Sequence, residues 1–262
     1  MPSPWPVTAA LGLIAVGLAL ACWRSRTQLT RLREALEAKS ADLEHLQVSF
    51  ARFAPEEIVE RVIASGVPTR GERKQATALF ADLVGFTALS ESIEPDVLVR
   101  ILNGYFERMS RAITDHRGHV STFIGDGILA LFGALQPNPW QGNDAVYAAL
   151  AMREELAAYN RELEAEGLPT LSIGIGLHRG GGVAALVGSQ ELMQFAFVGR
   201  IVNLAARVQD LTRRFQVDIL LTRAVKDTLD PRFALRELPA TPVRGIAGEV
   251  EIFAVTKLEG ER

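Results

Sequence analysis

The sequence predicts an α+β domain whose core elements follow the order β-α-β-β-α-β. Three observations support this class. Short apolar runs that end near glycine are typical of buried strands. Two long segments between these runs are predicted helices, the second of them rich in alanine. A Gly-Asp-Gly turn joins two of the runs as a hairpin, which completes a ferredoxin-like βαββαβ core with a C-terminal extension.

In chain order, the predicted elements begin with a strand, a helix and a hairpin that turns at Gly125-Asp126-Gly127. A long helix follows and is ended by Gly167 and Pro169. Two strands, a helix and three further strands complete the domain. The predicted bounds are Thr77–Asp82, Pro95–His116, His119–Ile124, Ile128–Phe132, Asp144–Glu166, Leu171–Leu177, Gly182–Val187, Arg200–Phe215, Asp218–Leu221, Ala234–Arg244 and Val250–Val255.

Ahead of this domain, the segment from Val7 to Trp23 carries no charged side chain. Its length is close to the lower limit of the about 17–25 residues of a transmembrane helix. No Lys or Arg precedes it and several arginines follow, so the positive-inside rule predicts a single-pass protein of the cell inner membrane, with the domain cytoplasmic. Two alternatives stay open: a cleaved signal peptide, and a lipoprotein cleavage box at Ala19-Leu20-Ala21-Cys22 that would lipidate Cys22.

Residues 25–69 are expected to form a short coiled-coil stalk and a linker helix, between the anchor at 1–24 and the domain at 70–258. Apolar residues recur there with a heptad period that is interrupted at Lys39. The alternative is an amphipathic helix that lies on the chain's own domain. Pro55 is expected to open the linker helix, and Ser65-Gly66-Val67-Pro68 to end it. The heptad seam consists of Leu29, Leu32, Leu36, Lys39, Leu43, Leu46, Phe50 and Phe53.

Composition excludes several classes of function. The net charge is −3, and no basic cluster with interleaved aromatic residues appears, which argues against a nucleic-acid partner. The single cysteine, Cys22, excludes an internal disulfide and a cysteine-based zinc site. The histidines are scattered, and His178 in its glycine-rich turn is interpreted as structural. No GxxxxGK[ST] run is present, so a Walker-type phosphate loop is excluded.

Two aspartates stand at the ends of predicted strands. Asp82 lies in Leu79-Phe80-Ala81-Asp82-Leu83-Val84-Gly85-Phe86-Thr87, and Asp126 lies in Phe123-Ile124-Gly125-Asp126-Gly127. An acid in this position is costly to bury unless a cation meets it. The two together suggest a shared divalent-metal site of the kind used for in-line displacement at phosphorus. Downstream, Asn203 and Arg207 lie at i and i+4, and so on one face of a predicted helix.

In order and spacing, these motifs resemble the catalytic domain of class III nucleotidyl cyclases, the adenylate/guanylate cyclase family, in its bacterial membrane-anchored form. The resemblance runs from about Gly71 to about Leu258. It implies the class III cyclase fold and active sites that form only between the two subunits of a homodimer. The further matching segments are Ile175-Gly176-Leu177-His178-Arg179-Gly180, Val187-Gly188-Ser189, Val202-Asn203-Leu204-Ala205-Ala206-Arg207 and Pro242-Val243-Arg244-Gly245-Ile246.

The resemblance also implies what binds metal and phosphate. Asp82, Asp126 and the Leu83 carbonyl would ligate two divalent metal ions, Mg²⁺ or Mn²⁺. The Val84-Gly85-Phe86-Thr87 loop would offer backbone N–H groups to the phosphates, and Gly85 would permit close approach.

The other subunit would supply the remaining groups. Asn203 would orient the ribose, and Arg207 would hydrogen-bond the α-phosphoryl oxygens as negative charge builds there. Arg244 would contact the terminal phosphates, and the alternative for it is an exposed loop arginine.

The positions that would read the base depart from the family pattern. Adenylate cyclases usually have Lys where this chain has Thr122, and Asp or Thr where it has Ala196. Guanylate cyclases usually have Glu and a small polar residue there. Since Ala196 can neither donate nor accept a hydrogen bond, we expect weak discrimination between purines. A basic residue often found shortly before the second position is Leu192 here.

The main hypothesis is a membrane-anchored homodimeric nucleotidyl cyclase, in cyclic-nucleotide signalling. It would convert ATP to cyclic AMP and pyrophosphate by attack of the ribose 3′-hydroxyl on the α-phosphate. ATP is favoured because it is the commoner substrate in the family. The alternatives are a relaxed or GTP-using cyclase, a regulatory pseudo-cyclase that binds nucleotide without turnover, and another two-metal enzyme such as a diguanylate cyclase, whose Gly-Gly-Asp/Glu-Glu-Phe signature is absent.

Overall fold

The structure is a computed structural model that describes residues 71–258, except 190–192, 245 and 247, together with Gln28 and Lys39 upstream. Gln28 and Lys39 are both helical and exposed. The predicted anchor over 1–24, and the rest of the predicted stalk and linker over 25–69, lie outside the described residues. Their organisation stays a prediction.

The predicted single-pass location in the cell inner membrane is wrong. Among the residues that the structure describes, no helix is both long and apolar enough to cross a bilayer. The longest, Gln141–Ala165, has 25 residues but carries charged side chains along its length. The segment 7–23, on which the prediction was based, lies outside the described residues.

The domain opens with a long strand and two helices, continues with a hairpin and a third helix, and closes with strands around two further helices. The strands are β1 (Glu72–Leu83), β2 (Gly118–Ile124), β3 (Gly127–Phe132), β4 (Ile173–Gly188), β5 (Met193–Val198), β6 (Ile219–Thr222), β7 (Phe233–Glu237), β8 (Thr241–Pro242), β9 (Glu249–Val250) and β10 (Ile252–Leu258). The helices are α1 (Phe86–Ser92), α2 (Pro95–Asp115), α3 (Gln141–Ala165), α4 (Arg200–Phe215) and α5 (Arg223–Lys226).

One central sheet has the strand order β2-β3-β1-β4-β6-β10-β7, and β5 pairs with β4 outside this path. The first four strands pair antiparallel and, with α2 and α3, reproduce the predicted βαββαβ order. β6 joins β4 in parallel, and β8 and β9 form a separate two-stranded sheet. The predicted α+β class is therefore confirmed.

The sheet separates two apolar layers. Ile219 and Leu221 of β6 belong to the main core, with the buried faces of α2 and α3, whereas Leu220 belongs to a second cluster with Leu204 and Val208 of α4. Because successive side chains of a strand point to opposite faces, α4 lies on the face of the sheet opposite α2 and α3.

Helix α4 lies very close to β4 because that strand has glycine at the contact. A Cβ atom built on Gly176 would lie 2.3 Å from the carbonyl oxygen of Ala205 and 2.3 Å from the backbone nitrogen of Gln209. Neither backbone atom can yield to a side chain. The glycine therefore sets the depth at which α4 lies on the sheet.

Several predicted boundaries change where strands pair over a greater length. The two strands predicted at 171–177 and 182–187 are one 16-residue strand, β4, because β1 pairs with it from Glu72 to Leu83 across the glycine run that was interpreted as a break. For the same reason β1 begins at Glu72, ahead of the predicted Thr77. Strand β5 and helices α1 and α5 were not predicted.

Candidate active site

The fold brings Asp82, Leu83 and Asp126 together at one end of β1. Asp82 and Leu83 are the last residues of β1, and Asp126 lies in the turn that leads into the neighbouring strand β3. The N–H of Leu83 donates a hydrogen bond to Asp126 Oδ2 at 3.2 Å. A Cβ atom built on Gly127 would lie 3.3 Å from Asp82 Oδ1, so glycine after Asp126 leaves room for both carboxylates. The three predicted metal ligands therefore share one site.

The pKa of Asp82 is perturbed by its surroundings. Burial raises the pKa of Asp82 to about 6, and both the charge of Asp126 and a hydrogen bond between the two carboxyl groups act in the same direction. Arg213 opposes this shift. The hydroxyl of Tyr105 is fully buried and has no hydrogen-bond partner among the described residues, and its pKa is raised by burial and then by the charges of Asp126 and Asp82. Negative charge is thus concentrated at this end of β1.

This donor set fits a hard divalent cation. Carboxylate and carbonyl oxygens are the ligands that Mg²⁺ and Mn²⁺ prefer, and Mg²⁺ is usually held by one or two carboxylates completed by water and substrate phosphates. No group of three or more His, Cys, Asp or Glu side chains gathers within the described part of the chain. Besides Asp82, Asp126 and the Leu83 carbonyl, the ligands of a bound ion would therefore be water and phosphate oxygens.

The predicted phosphate loop is partly helical. Gly85 has a φ of 74° and precedes α1, whose first residues are Phe86 and Thr87. The first N–H groups of a helix have no partner within it, which leaves those of Phe86 and Thr87 available in the expected way. The N–H of Val84 donates to the carbonyl oxygen of Ser172 at 2.8 Å, so this member of the predicted loop is not available.

A second cluster forms around helix α4. Asn203 and Arg207 are exposed on this helix and line a cavity of about 430 Å³ together with Arg200 and Arg244. Leu204 and Ile246 complete its lining. Arg207 forms an ion pair with Asp210 at 3.2 Å. Three guanidinium groups and no carboxylate line the cavity, so it suits an anion.

Asp82 and Asp126 are not among the residues that line the α4 cavity. Among the described residues, no hydrogen bond or ion pair joins Asp82 or Asp126 to Asn203, Arg207 or Arg244. Each protomer therefore carries two distinct sets of the predicted site residues.

The predicted base-reading residues lie on β2 and β5. Thr122 sits beside a bulge in the pairing of β2 with β3, and its hydroxyl donates to the carbonyl oxygen of Phe123 at 3.2 Å. Ala196 is partly buried in β5. The rings of His119 and Phe195 are 5.8 Å apart, which brings side chains of the two strands into contact.

His178 contacts Thr222 Oγ1 through Nδ1 at 2.9 Å, and burial lowers its pKa to about 4.

Two arginines of the site were not predicted. Arg200 lies three residues before Asn203 and seven before Arg207, so its place on the same helix face is a signal that the sequence carries. Arg213 Nη2 lies 3.4 Å from Asp82 Oδ2 and donates to the carbonyl oxygen of Leu83 at 3.3 Å. No motif or spacing in the sequence indicates that Arg213 contacts Asp82 and Leu83.

Comparison with known proteins identifies the family. The family described as "Adenylate and Guanylate cyclase catalytic domain" matches residues 69–257. An adenylate cyclase of Anabaena cylindrica is 31% identical over 242 residues, which cover 87% of this chain and 47% of that protein. The chain thus spans about half the length of this relative.

Two solved structures share the fold. The adenylyl cyclase CyaB from P. aeruginosa superposes with a TM-score of 0.67 at 26% identity, over 73% of this chain and 98% of that chain. The guanylyl cyclase Cya2 gives a TM-score of 0.63 at 30% identity, over 72% of this chain and 95% of that chain. With the family match, they confirm the resemblance: this chain belongs to the class III adenylate and guanylate cyclase catalytic domain family.

Proposed function

We propose that the chain is a homodimeric nucleotidyl cyclase that converts ATP to cyclic AMP and pyrophosphate. The observation that carries this proposal is the presence, on one protomer, of a paired-carboxylate site and a separate cavity lined by Asn203, Arg207 and Arg244. Neither set is sufficient alone for attack on a triphosphate. A second protomer would bring the cavity of one subunit to the carboxylates of the other.

The residues would divide the chemistry between the two subunits. Asn203 would hold the ribose so that its 3′-hydroxyl faces the α-phosphorus, which makes the reaction intramolecular and orientation its main requirement. Arg207 would donate to the α-phosphoryl oxygens as their negative charge grows. Arg244 and the N–H groups of Gly85, Phe86 and Thr87 would bind the outgoing phosphates.

Asp82, Asp126 and the Leu83 carbonyl would hold two divalent metal ions, Mg²⁺ or Mn²⁺. Bound there, such ions lower the pKa of an attacking hydroxyl and neutralise the charge of a leaving pyrophosphate. The surroundings of Asp82 are compatible with this assignment: burial raises its pKa, the charge of Asp126 raises it further, and a cation would favour the ionised carboxylates.

ATP is proposed as the preferred substrate because the Anabaena cylindrica relative is an adenylate cyclase. The base-reading positions point to a relaxed preference, with GTP as a second substrate. Thr122 already donates its hydroxyl to the carbonyl of Phe123, and Ala196 has no polar side chain. Strong discrimination between substrates that differ in polar groups requires such groups in the site.

The test is direct. The purified chain is incubated with Mn²⁺ and either ATP or GTP, and the cyclic product is separated by chromatography. We expect cyclic AMP from ATP, a smaller amount of cyclic GMP from GTP, and no product from Asp82→Ala. A folded, dimeric protein that forms neither product contradicts the proposed activity. A preference for one purine above about a thousandfold contradicts the proposal of a weak base site.

A further inference from the structure

The last turn of α4 places the guanidinium of Arg213 beside the carboxylate site. Arg213 Nη2 is 3.4 Å from Asp82 Oδ2 and 3.3 Å from the carbonyl oxygen of Leu83. Both oxygens are among the groups that the proposed function assigns to the metal ions. The side chain of Arg213 is 54% exposed, so it is not fixed in this position by packing.

We propose that the guanidinium of Arg213 competes with metal ions. It binds the oxygens of Asp82 and Leu83 in the metal-free protein and has to leave them before divalent ions bind. The proposal depends on the proposed function, since that function makes these oxygens metal ligands. It assigns to Arg213 the role of a competitor that sets the metal concentration at which the site fills.

Displacement follows from charge and geometry. A guanidinium and a divalent cation cannot occupy the same side of one carboxylate oxygen, because like charges at such distances repel each other. The two contacts of Arg213 are long for charged hydrogen bonds, and exposed ion pairs of this kind contribute little free energy. The arginine therefore compensates the carboxylates only weakly.

The structure also offers a place for the displaced side chain. Arg213 also lines a groove of about 750 Å³, together with Gln216 and Asp218. The oxygens of these two side chains can accept hydrogen bonds from a guanidinium. Asp218 now lies 3.5 Å from Arg153, an ion pair that a second arginine can share. The groove thus offers acceptors to the guanidinium once it has left Asp82.

The experiment measures metal binding to the full-length chain without nucleotide. Mn²⁺ is titrated into the protein, and free Mn²⁺ is followed by electron paramagnetic resonance. The variants are Arg213→Gln, which removes the charge, and Arg213→Lys, which keeps a cation but loses the forked geometry. Arg214→Gln is the matched control, since it removes the same charge from the next residue, whose guanidinium lies 5.3 Å from the centre of the Phe215 ring.

We expect Arg213→Gln to bind Mn²⁺ about two- to fivefold more tightly than the wild type, the range that an exposed ion pair produces. Arg213→Lys and Arg214→Gln should stay close to the wild type, and the gain should shrink at high salt. Weaker or unchanged binding in Arg213→Gln overturns the proposal, because Arg213 then supports the site or is indifferent to it. An equal gain in Arg214→Gln also overturns it, since the effect is then one of net charge.

Asp82→Asn separates this outcome from a failure of the proposed function. If Asp82→Asn binds Mn²⁺ as the wild type does, the carboxylate site is not the metal site and the proposed function fails with it. If Asp82→Asn abolishes binding while Arg213→Gln leaves it unchanged, the metal site stands and only the role of Arg213 is lost. Matching circular dichroism spectra show that each variant is folded.

Discussion

At the scale of single residues, the candidate site depends on two carboxylates that lie close together and whose negative charge Arg213 offsets only weakly. Their meeting could be predicted, because Asp82 and Asp126 each follow an apolar strand and precede glycine. The contact of Asp82 with Arg213 could not, since the two residues are 131 positions apart and only the packing of α4 on the sheet brings them together. Periodicity predicts which residues share a helix face, but it does not predict which distant residues the last turn of that helix contacts.

The pKa of Asp82 predicts a pH dependence of stability. The folded-state pKa of about 6 lies above the ordinary value of 3.8, so the folded protein binds this proton more tightly than the unfolded chain does. The contribution of Asp82 to the free energy of unfolding is therefore fully present below about pH 4 and is lost as the pH rises through about 6. Urea unfolding of the wild type and of Asp82→Asn, with a chelator present, measures this contribution as the difference between them.

We expect the free energy of unfolding of the wild type to fall relative to that of Asp82→Asn as the pH rises from about 4 to about 6.5. The comparison cancels the contribution of His178, whose pKa is lowered to about 4 and whose effect has the opposite sign. A difference that stays constant, or that moves in favour of the wild type, would show that burial and the charge of Asp126 do not raise the pKa of Asp82 in the folded protein.

At the scale of elements, α4 carries the second half of the site on one face. Arg200, Asn203 and Arg207 follow helical spacing and line the same cavity as Arg244. In the described structure Arg200 and Arg244 form no ion pair, so both are free to meet an anion. If the cavity receives the phosphates of ATP, Arg200 should contribute to substrate binding, although it lies just before the matching segment that begins at Val202.

We therefore expect Arg200→Gln to raise the KM for ATP about tenfold with a much smaller change in kcat, because a charge-assisted hydrogen bond to phosphate is lost. Steady-state kinetics with Mn²⁺ measure both constants. Arg214→Gln is the control, since it lies on the same helix outside the cavity and should keep the wild-type KM. Equal KM values for both variants would exclude Arg200 from the substrate site.

The elements also show where sequence reasoning succeeds and where it stops. Helix α4 was predicted with its observed bounds, Arg200–Phe215, because apolar periodicity and a preceding glycine mark it clearly. Strand β4 was divided in two, since glycine is a poor strand former and the sequence does not show that β1 pairs with it along its whole length. Strand β5 was missed because its extended form depends on pairing with β4.

At the scale of the whole molecule, the chain carries two sets of candidate site residues. The sequence could predict the family, and the resemblance to that family implies a second subunit. The described structure adds that the paired carboxylates and the α4 cavity are not joined within one chain. A homodimer in which each cavity faces the partner's carboxylates is therefore the assembly that the proposed function requires.

The measurement that tests this claim most directly is complementation between two inactive variants. Asp82→Ala removes a proposed metal ligand and Arg207→Ala removes the group proposed to bind the α-phosphate, so each should be inactive alone. When both are co-expressed, about half of the dimers are mixed and each mixed dimer has one intact site, so we expect about a quarter of the wild-type cyclase activity. Mixed dimers verified by two affinity tags that show no activity would contradict a site shared between subunits.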